Sequence, residues 1–206
     1  MKKNTCLSMI VNLFPTSIYK AEMPEYINWV EKRWTEHRFN TDESLTGEME
    51  GQVLVHHDSY LTSFFVELNE HLKEYLETFL VDYDIHFMKT WYSVTDEKRS
   101  VPHHNHDPAH ISWVYYVSGE DPLCFAKENF NEWFPEAFAG KEKNFNNGTV
   151  YQMNVKPGDL LIFPSKLFHH TYNTMPRVSV AGDVLLTNKN LNTEGGLLHP
   201  KYWKQF

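Results

Sequence analysis

The chain has 206 residues, 41% of them hydrophobic and 15% aromatic, and a formal net charge of −8. That length suits one domain with a sizeable core, and the composition is globular rather than disordered. The acidic balance argues against a nucleic-acid partner, whose phosphates need clustered Lys and Arg, although one buried Arg could still hold a small anion.

At the N-terminus a short apolar run is interrupted by Asn12 and has no small-residue cleavage site, so it does not read as a signal peptide. No stretch approaches the ~18 apolar residues of a membrane span, and no membrane association is expected. Residues 7–19 read as extended. Pro24 opens a helical stretch to about Phe39, with Ile27, Val30 and Trp34 at helical spacing. The strongest helix is expected over 59–80, where Leu61, Phe64, Phe65, Leu68, Leu72, Tyr75, Leu76 and Phe79 keep one apolar face and Ser59 can cap the first turn. From Ile85 the pattern turns to strands, over 85–94, 110–117, 149–155, 159–163 and 178–186. Turn residues separate them, such as Asn146-Asn147-Gly148 and Lys156-Pro157-Gly158-Asp159. Residues 129–147 carry Trp133, Phe134 and Phe138 among polar neighbours and read equally well as a lid or as a long loop. The order predicts an α+β, mainly β fold in one domain over 1–206: helical support over about 22–80 bracing a β-sandwich or barrel over about 85–190. Cys6 and Cys124 are too few for a disulfide scaffold and read as reduced thiols of a cytoplasmic protein.

The histidines concentrate the chemistry. Residues 101–110 hold His103, His104, His106 and His110 with Asp107, bracketed by Pro102 and Pro108. On an extended segment positions i and i+2 point the same way, so His104 and His106 can face one metal. A second cluster, His169-His170, follows the strand over 159–163 and offers a distant further ligand. A dyad plus one remote ligand is the layout of a facial triad with open coordination positions, and imidazole suits Fe(II), Zn(II), Ni(II) and Cu(II). Arg177 follows eight positions after His169, with Ser179 two beyond it on the same strand face. A guanidinium grips carboxylates bidentately and a hydroxyl adds one hydrogen bond, so the pair suits a dicarboxylate that chelates the metal with its other end.

These residues resemble the 2-oxoglutarate and Fe(II)-dependent oxygenases. The pieces that carry the likeness are His104-Asn105-His106-Asp107, Ser112-Trp113-Val114-Tyr115-Tyr116, Phe163-Pro164-Ser165-Lys166-Leu167-Phe168-His169 and Arg177-Val178-Ser179, together with Leu13-Phe14-Pro15-Thr16 and Trp91-Tyr92-Ser93-Val94. The resemblance implies a double-stranded β-helix, a jelly-roll or cupin-like barrel. It also implies Fe(II) held by His104 and His169, and 2-oxoglutarate held by Arg177 and Ser179. The reaction would hydroxylate a small molecule or a peptide side chain, with release of succinate and CO2, and a homodimer is compatible with it. The chain departs from the family pattern at three positions. His106 stands where H-x-D has its carboxylate, so the third ligand is His106, preferred on the i, i+2 geometry, or Asp107, or a carboxylate is missing. Trp113 replaces a Gly and is large enough to line or narrow a pocket. Asp183 replaces an Asn near the strand end. Two other readings stand beside this one. A cupin-type metalloprotein without 2-oxoglutarate would use His104, His106, His110 and His169 followed by Asn173, and a non-catalytic binding module would have kept the fold alone.

Overall fold

A computed structural model describes residues 15–38, 54–95, 100–126, 148–172 and 175–189. The elements in chain order are β1 (Tyr19–Glu22), α1 (Ile27–Arg38), α2 (Thr62–Glu77), β2 (Tyr83–Thr95), β3 (Ile111–Ser118), β4 (Leu123–Ala126), β5 (Val150–Met153), β6 (Asp159–Pro164), β7 (His169–Thr171) and β8 (Arg177–Asn188). The segment 129–147, Leu13, Phe14, Cys6 and Asn173 lie outside the described residues.

The helix expected over 59–80 starts later and stops earlier, as α2. Its approach is a 3-10 turn, Ser59–Leu61, capped by Asp58 rather than Ser59. The extended backbone at Asp58 lets its carboxylate accept the Tyr60 N–H at 2.9 Å, a bond Ser59 is too far inside the turn to make. Arg33 Nε donates to the same carboxylate at 2.7 Å and ties α1 to this turn. Leu61, Phe64, Phe65, Leu68, Leu72, Tyr75 and Leu76 are buried as the period predicts, whereas Phe79, past the helix end, is 55% exposed.

Two antiparallel sheets form, with strand orders β1-β6-β3-β8-β2 and β5-β4-β7. The strand period of two sorts the larger sheet's side chains between two cores. Tyr92, Trp113, Tyr115, Leu160, Ile162 and Val180 face out, against Val30, Trp34, Phe64, Leu68 and Leu72 of the two helices. Val114, Tyr116, Leu161 and Phe163 face in, against Leu123 and Phe125 of the smaller sheet. The two sheets therefore close face to face, and the helices brace the outside of the larger one: a double-stranded β-helix. Burying each such large apolar side chain contributes about 1.5–3 kcal/mol.

The Trp113 side chain packs with the outer set, while the residue also borders the inner cavity, as expected of it. Its ring meets Phe64 at 6.3 Å and Phe65 at 6.1 Å between centroids, under α2. It fits there because its partner across the ladder is Gly182, where a Cβ would fall 2.6 Å from the indole.

Three strands escaped the sequence reading. β1, β4 and β7 are four, four and three residues long, too short for alternation to register. β7 nevertheless organises the site. Its partner beyond β4 is an irregular segment: the His104 N–H donates to the His169 carbonyl at 3.1 Å, the His169 N–H returns to His104 at 2.9 Å, and the Thr171 N–H reaches Val101 at 3.1 Å. Residues 101–104 thus extend the smaller sheet as its edge.

Candidate metal and dicarboxylate site

That rung sets two of the expected ligands side by side, with ring centroids of His104 and His169 4.3 Å apart. His106, two residues on, is pinned by its own N–H to the Ser165 carbonyl at 2.9 Å. The ligand atoms of His104, His106 and His169 all lie within 4.8 Å of one another, the only such histidine, cysteine and carboxylate cluster among the described residues.

The far side of each ring fixes its tautomer. His104 Nδ1 donates to the Pro102 carbonyl at 2.7 Å, His169 Nδ1 to the Leu167 carbonyl at 2.9 Å, and His106 Nδ1 to Asp183 Oδ1 at 2.7 Å. With every Nδ1 carrying its proton to an acceptor, every Nε2 is left with a bare lone pair. His104 Nε2 and His106 Nε2 stand 2.9 Å apart. Two lone pairs at that distance repel unless a cation lies between them. Metal–nitrogen bonds of about 2.1 Å at right angles would put the nitrogens about 3.0 Å apart, so the geometry fits a metal ion.

Burial keeps the His104 and His169 rings neutral. Burial pushes His169 well below its ordinary 6.5, to about 3; the neighbouring rings of His104 and His106 push the same way, and the Leu167 carbonyl opposes them. Burial likewise lowers His104, against the pull of the Pro102 carbonyl. Aromatic rings dry the site: Phe163 lies 5.0 Å from His169, and Trp91 stacks on His106 at 5.5 Å and 21°.

From the triad an inner cavity of about 70 Å³ runs between the sheets to Arg177 and Ser179. Arg177 opens β8 and is 3% exposed; its guanidinium lies over the Tyr116 ring at 5.5 Å and donates through one Nη to the Asp121 carbonyl at 3.3 Å. Its Nε and the Tyr116 hydroxyl, both buried, have no hydrogen-bond partner among the described residues. A buried guanidinium left short of acceptors is costly unless an anion joins it, so this end of the cavity fits a carboxylate. Ser179 lies in the same wall, its hydroxyl donating weakly to the Ser93 carbonyl at 3.4 Å. Gly119, at φ +83°, lets the chain pass this point: a Cβ there would meet Arg177 Cβ at 2.8 Å. Outside the triad a wider mouth of about 700 Å³ opens between Met88, Lys89, Trp91, Pro102 and Asp107.

The remaining candidates fall elsewhere. Asp107 points outward, 61% exposed and 3.9 Å from Lys166. His110 Nδ1 accepts the Leu186 N–H at 2.9 Å and lies outside the cluster, so it does not serve as the cupin reading would use it. His103 stacks on Phe168 at 4.7 Å, and His170 has His103 and Tyr172 as ring neighbours. Asp183 is the residue whose role the sequence reading left open. The signal was present in strand parity: Arg177, Ser179, Ala181 and Asp183 alternate along β8 and all face the inner cavity or the triad. Cys124 is a buried free thiol. No helix among the described residues is long and apolar enough to cross a membrane.

Known proteins resemble the chain in part of its sequence and in its fold. Residues 89–183 match the model of a family described as "Putative 2OG-Fe(II) oxygenase". No curated protein matches the chain. Among solved structures, the non-heme alpha-ketoglutarate-dependent carbocyclase SnoK from nogalamycin biosynthesis superposes with a TM-score of 0.60 at 9% identity, over 84% of this chain and 83% of that one. HygX from Streptomyces hygroscopicus, solved with nickel and 2-oxoglutarate bound, gives 0.52 at 12% identity over 82% and 81%. AviO1 from Streptomyces viridochromogenes Tue57 gives 0.52 at 15% identity over 90% and 93%. The likeness to 2OG-Fe(II) oxygenases thus holds in sequence across residues 89–183, which carry His104, His106, His169 and Arg177, and in fold across four-fifths of the chain.

Proposed function

We propose that the chain is an Fe(II)- and 2-oxoglutarate-dependent oxygenase that hydroxylates a peptide side chain or small metabolite, releasing succinate and CO2. The observation that carries this reading is one cavity with two ends: three imidazoles with bare Nε2 atoms, and a buried guanidinium with an unsatisfied Nε. His104, His106 and His169 would hold the metal. Arg177 would grip the distal carboxylate of 2-oxoglutarate, with Ser179 donating a further hydrogen bond. When bound, the pair would supply oxidative decarboxylation with O2 as the oxidant, one oxygen atom of O2 going into succinate and the other into the substrate C–H bond. Around it, Trp91, Phe125 and Phe163 exclude water, and the Nδ1–H bonds keep the three rings aimed. The outer mouth is of a size for a small metabolite or one side chain. The nickel and 2-oxoglutarate in HygX support the cofactor assignment.

Calorimetric titration of the Mn(II)-loaded protein with 2-oxoglutarate tests the reading, wild type against Arg177→Ala. Saturable binding in the wild type and its loss in the variant are expected. Equal affinity in both, or binding in neither, would sink the 2-oxoglutarate assignment. The donor set itself, three imidazoles with no carboxylate, favours a second reading, a cupin-type metalloprotein; it predicts metal uptake with no 2-oxoglutarate binding in either protein.

A further inference from the structure

The third imidazole stands where H-x-D would put a carboxylate on the metal, and a buried carboxylate lies directly behind it. We propose that Asp183 is a positioning residue that supplies, through His106, the negative charge the ligand set itself lacks. This rests on the reading that His104, His106 and His169 hold a metal.

Asp183 is 2% exposed, and its Oδ1 accepts the His106 Nδ1–H at 2.7 Å. The carboxylate is held in place from the other side. Ser112 Oγ donates to Oδ1 at 2.8 Å, and since that uses the Ser112 proton, Ser165 Oγ must donate to Ser112 at 2.9 Å. Lys89 Nζ lies 3.7 Å from Oδ2. His104 and His169, by contrast, give their Nδ1 protons to neutral carbonyls, those of Pro102 and Leu167. His106 is therefore the one ring of the three with an anionic partner. A carboxylate on Nδ1–H raises the electron density at Nε2 and makes that ring the strongest donor of the set. It also lowers the net charge of a divalent site to the value a ligating carboxylate would give, one imidazole further out. His106 and Asp183 are two of the three places where the chain departs from the family pattern, and they are in contact.

Four proteins test this: wild type, Asp183→Asn, His106→Asp, and His106→Asp with Asp183→Asn. Ni(II) affinity is read by calorimetry, and the His106 tautomer in metal-free protein by long-range proton–nitrogen NMR. D183N should bind Ni(II) 10- to 100-fold more weakly and shift the His106 proton partly from Nδ1 to Nε2. H106D alone sets two carboxylates against each other, so H106D/D183N should bind at least about tenfold more tightly than H106D. A merely structural Asp183 would lower thermal stability and leave affinity and tautomer unchanged, which overturns the proposal alone. No Ni(II) binding by wild type, with the Nδ1–H tautomer intact, would overturn the metal reading and this proposal together. Should D183N not fold, Asp183→Ser removes the charge in a smaller side chain; an unshifted His106 resonance and unchanged Ni(II) affinity would then overturn the proposal.

Discussion

Acidification should unfold the metal-free protein through His169. Burial holds this ring at about 3, against 6.5 in the open chain. Below about pH 6.5 the unfolded chain takes up a proton that the folded ring refuses, so stability falls with pH through the window between 6.5 and 3. Between pH 8 and pH 5 the difference is about 2 kcal/mol for this one residue, approaching its full value only near pH 3. The assay is urea unfolding of chelator-treated protein at both pH values, wild type against His169→Gln. His104, also lowered by burial, is present in both proteins, so the difference between their pH slopes isolates His169. Wild type should lose about 2 kcal/mol more than the variant on going from pH 8 to pH 5. Parallel slopes would refute the argument that the folded ring is kept neutral by burial.

Three further outcomes follow from single contacts. Gly182→Ala would force a methyl to within 2.6–2.7 Å of Trp113 and Thr90, both packed on all sides, and should cost about 1–3 kcal/mol in urea unfolding. Gly119→Ala sets a side chain at φ +83° against Arg177 and the Pro176 carbonyl; it should cost about 1–2 kcal/mol and weaken 2-oxoglutarate binding by displacing the guanidinium. Asp107→Asn should leave Ni(II) affinity within about twofold of wild type, because that carboxylate faces Lys166 and water; a loss of tenfold or more would restore Asp107 as a ligand.

Much of this site could be read from residue order, because its parts obey simple periods. The i, i+2 rule placed His104 and His106 together, and the same parity put Arg177 and Ser179 on one face. What escaped depended on pairing across the sheet. His169 and His170 are adjacent and chemically identical, and spacing alone does not choose between them; the resemblance points to His169, and the rung between His104 and His169 brings that one beside His104. Trp113, large where the family pattern has Gly, borders the inner cavity, yet the pleat turns its ring to the helix side. Asp183 reads as an anomaly in an apolar strand until the ladder brings it to His106, 77 positions away in sequence.

The two ends of the inner cavity belong to different layers of the fold. His104 and His169 ride on the smaller sheet, and Arg177 is fixed to the larger one. A molecule held by metal at one end and guanidinium at the other would act as a calliper set by the gap between the sheets. Carboxylates a methylene shorter or longer would have to strain either the chelate or the grip. Such a molecule would also rivet the layers together, so saturating 2-oxoglutarate should raise the melting temperature through a bond that crosses the barrel rather than one that lines it.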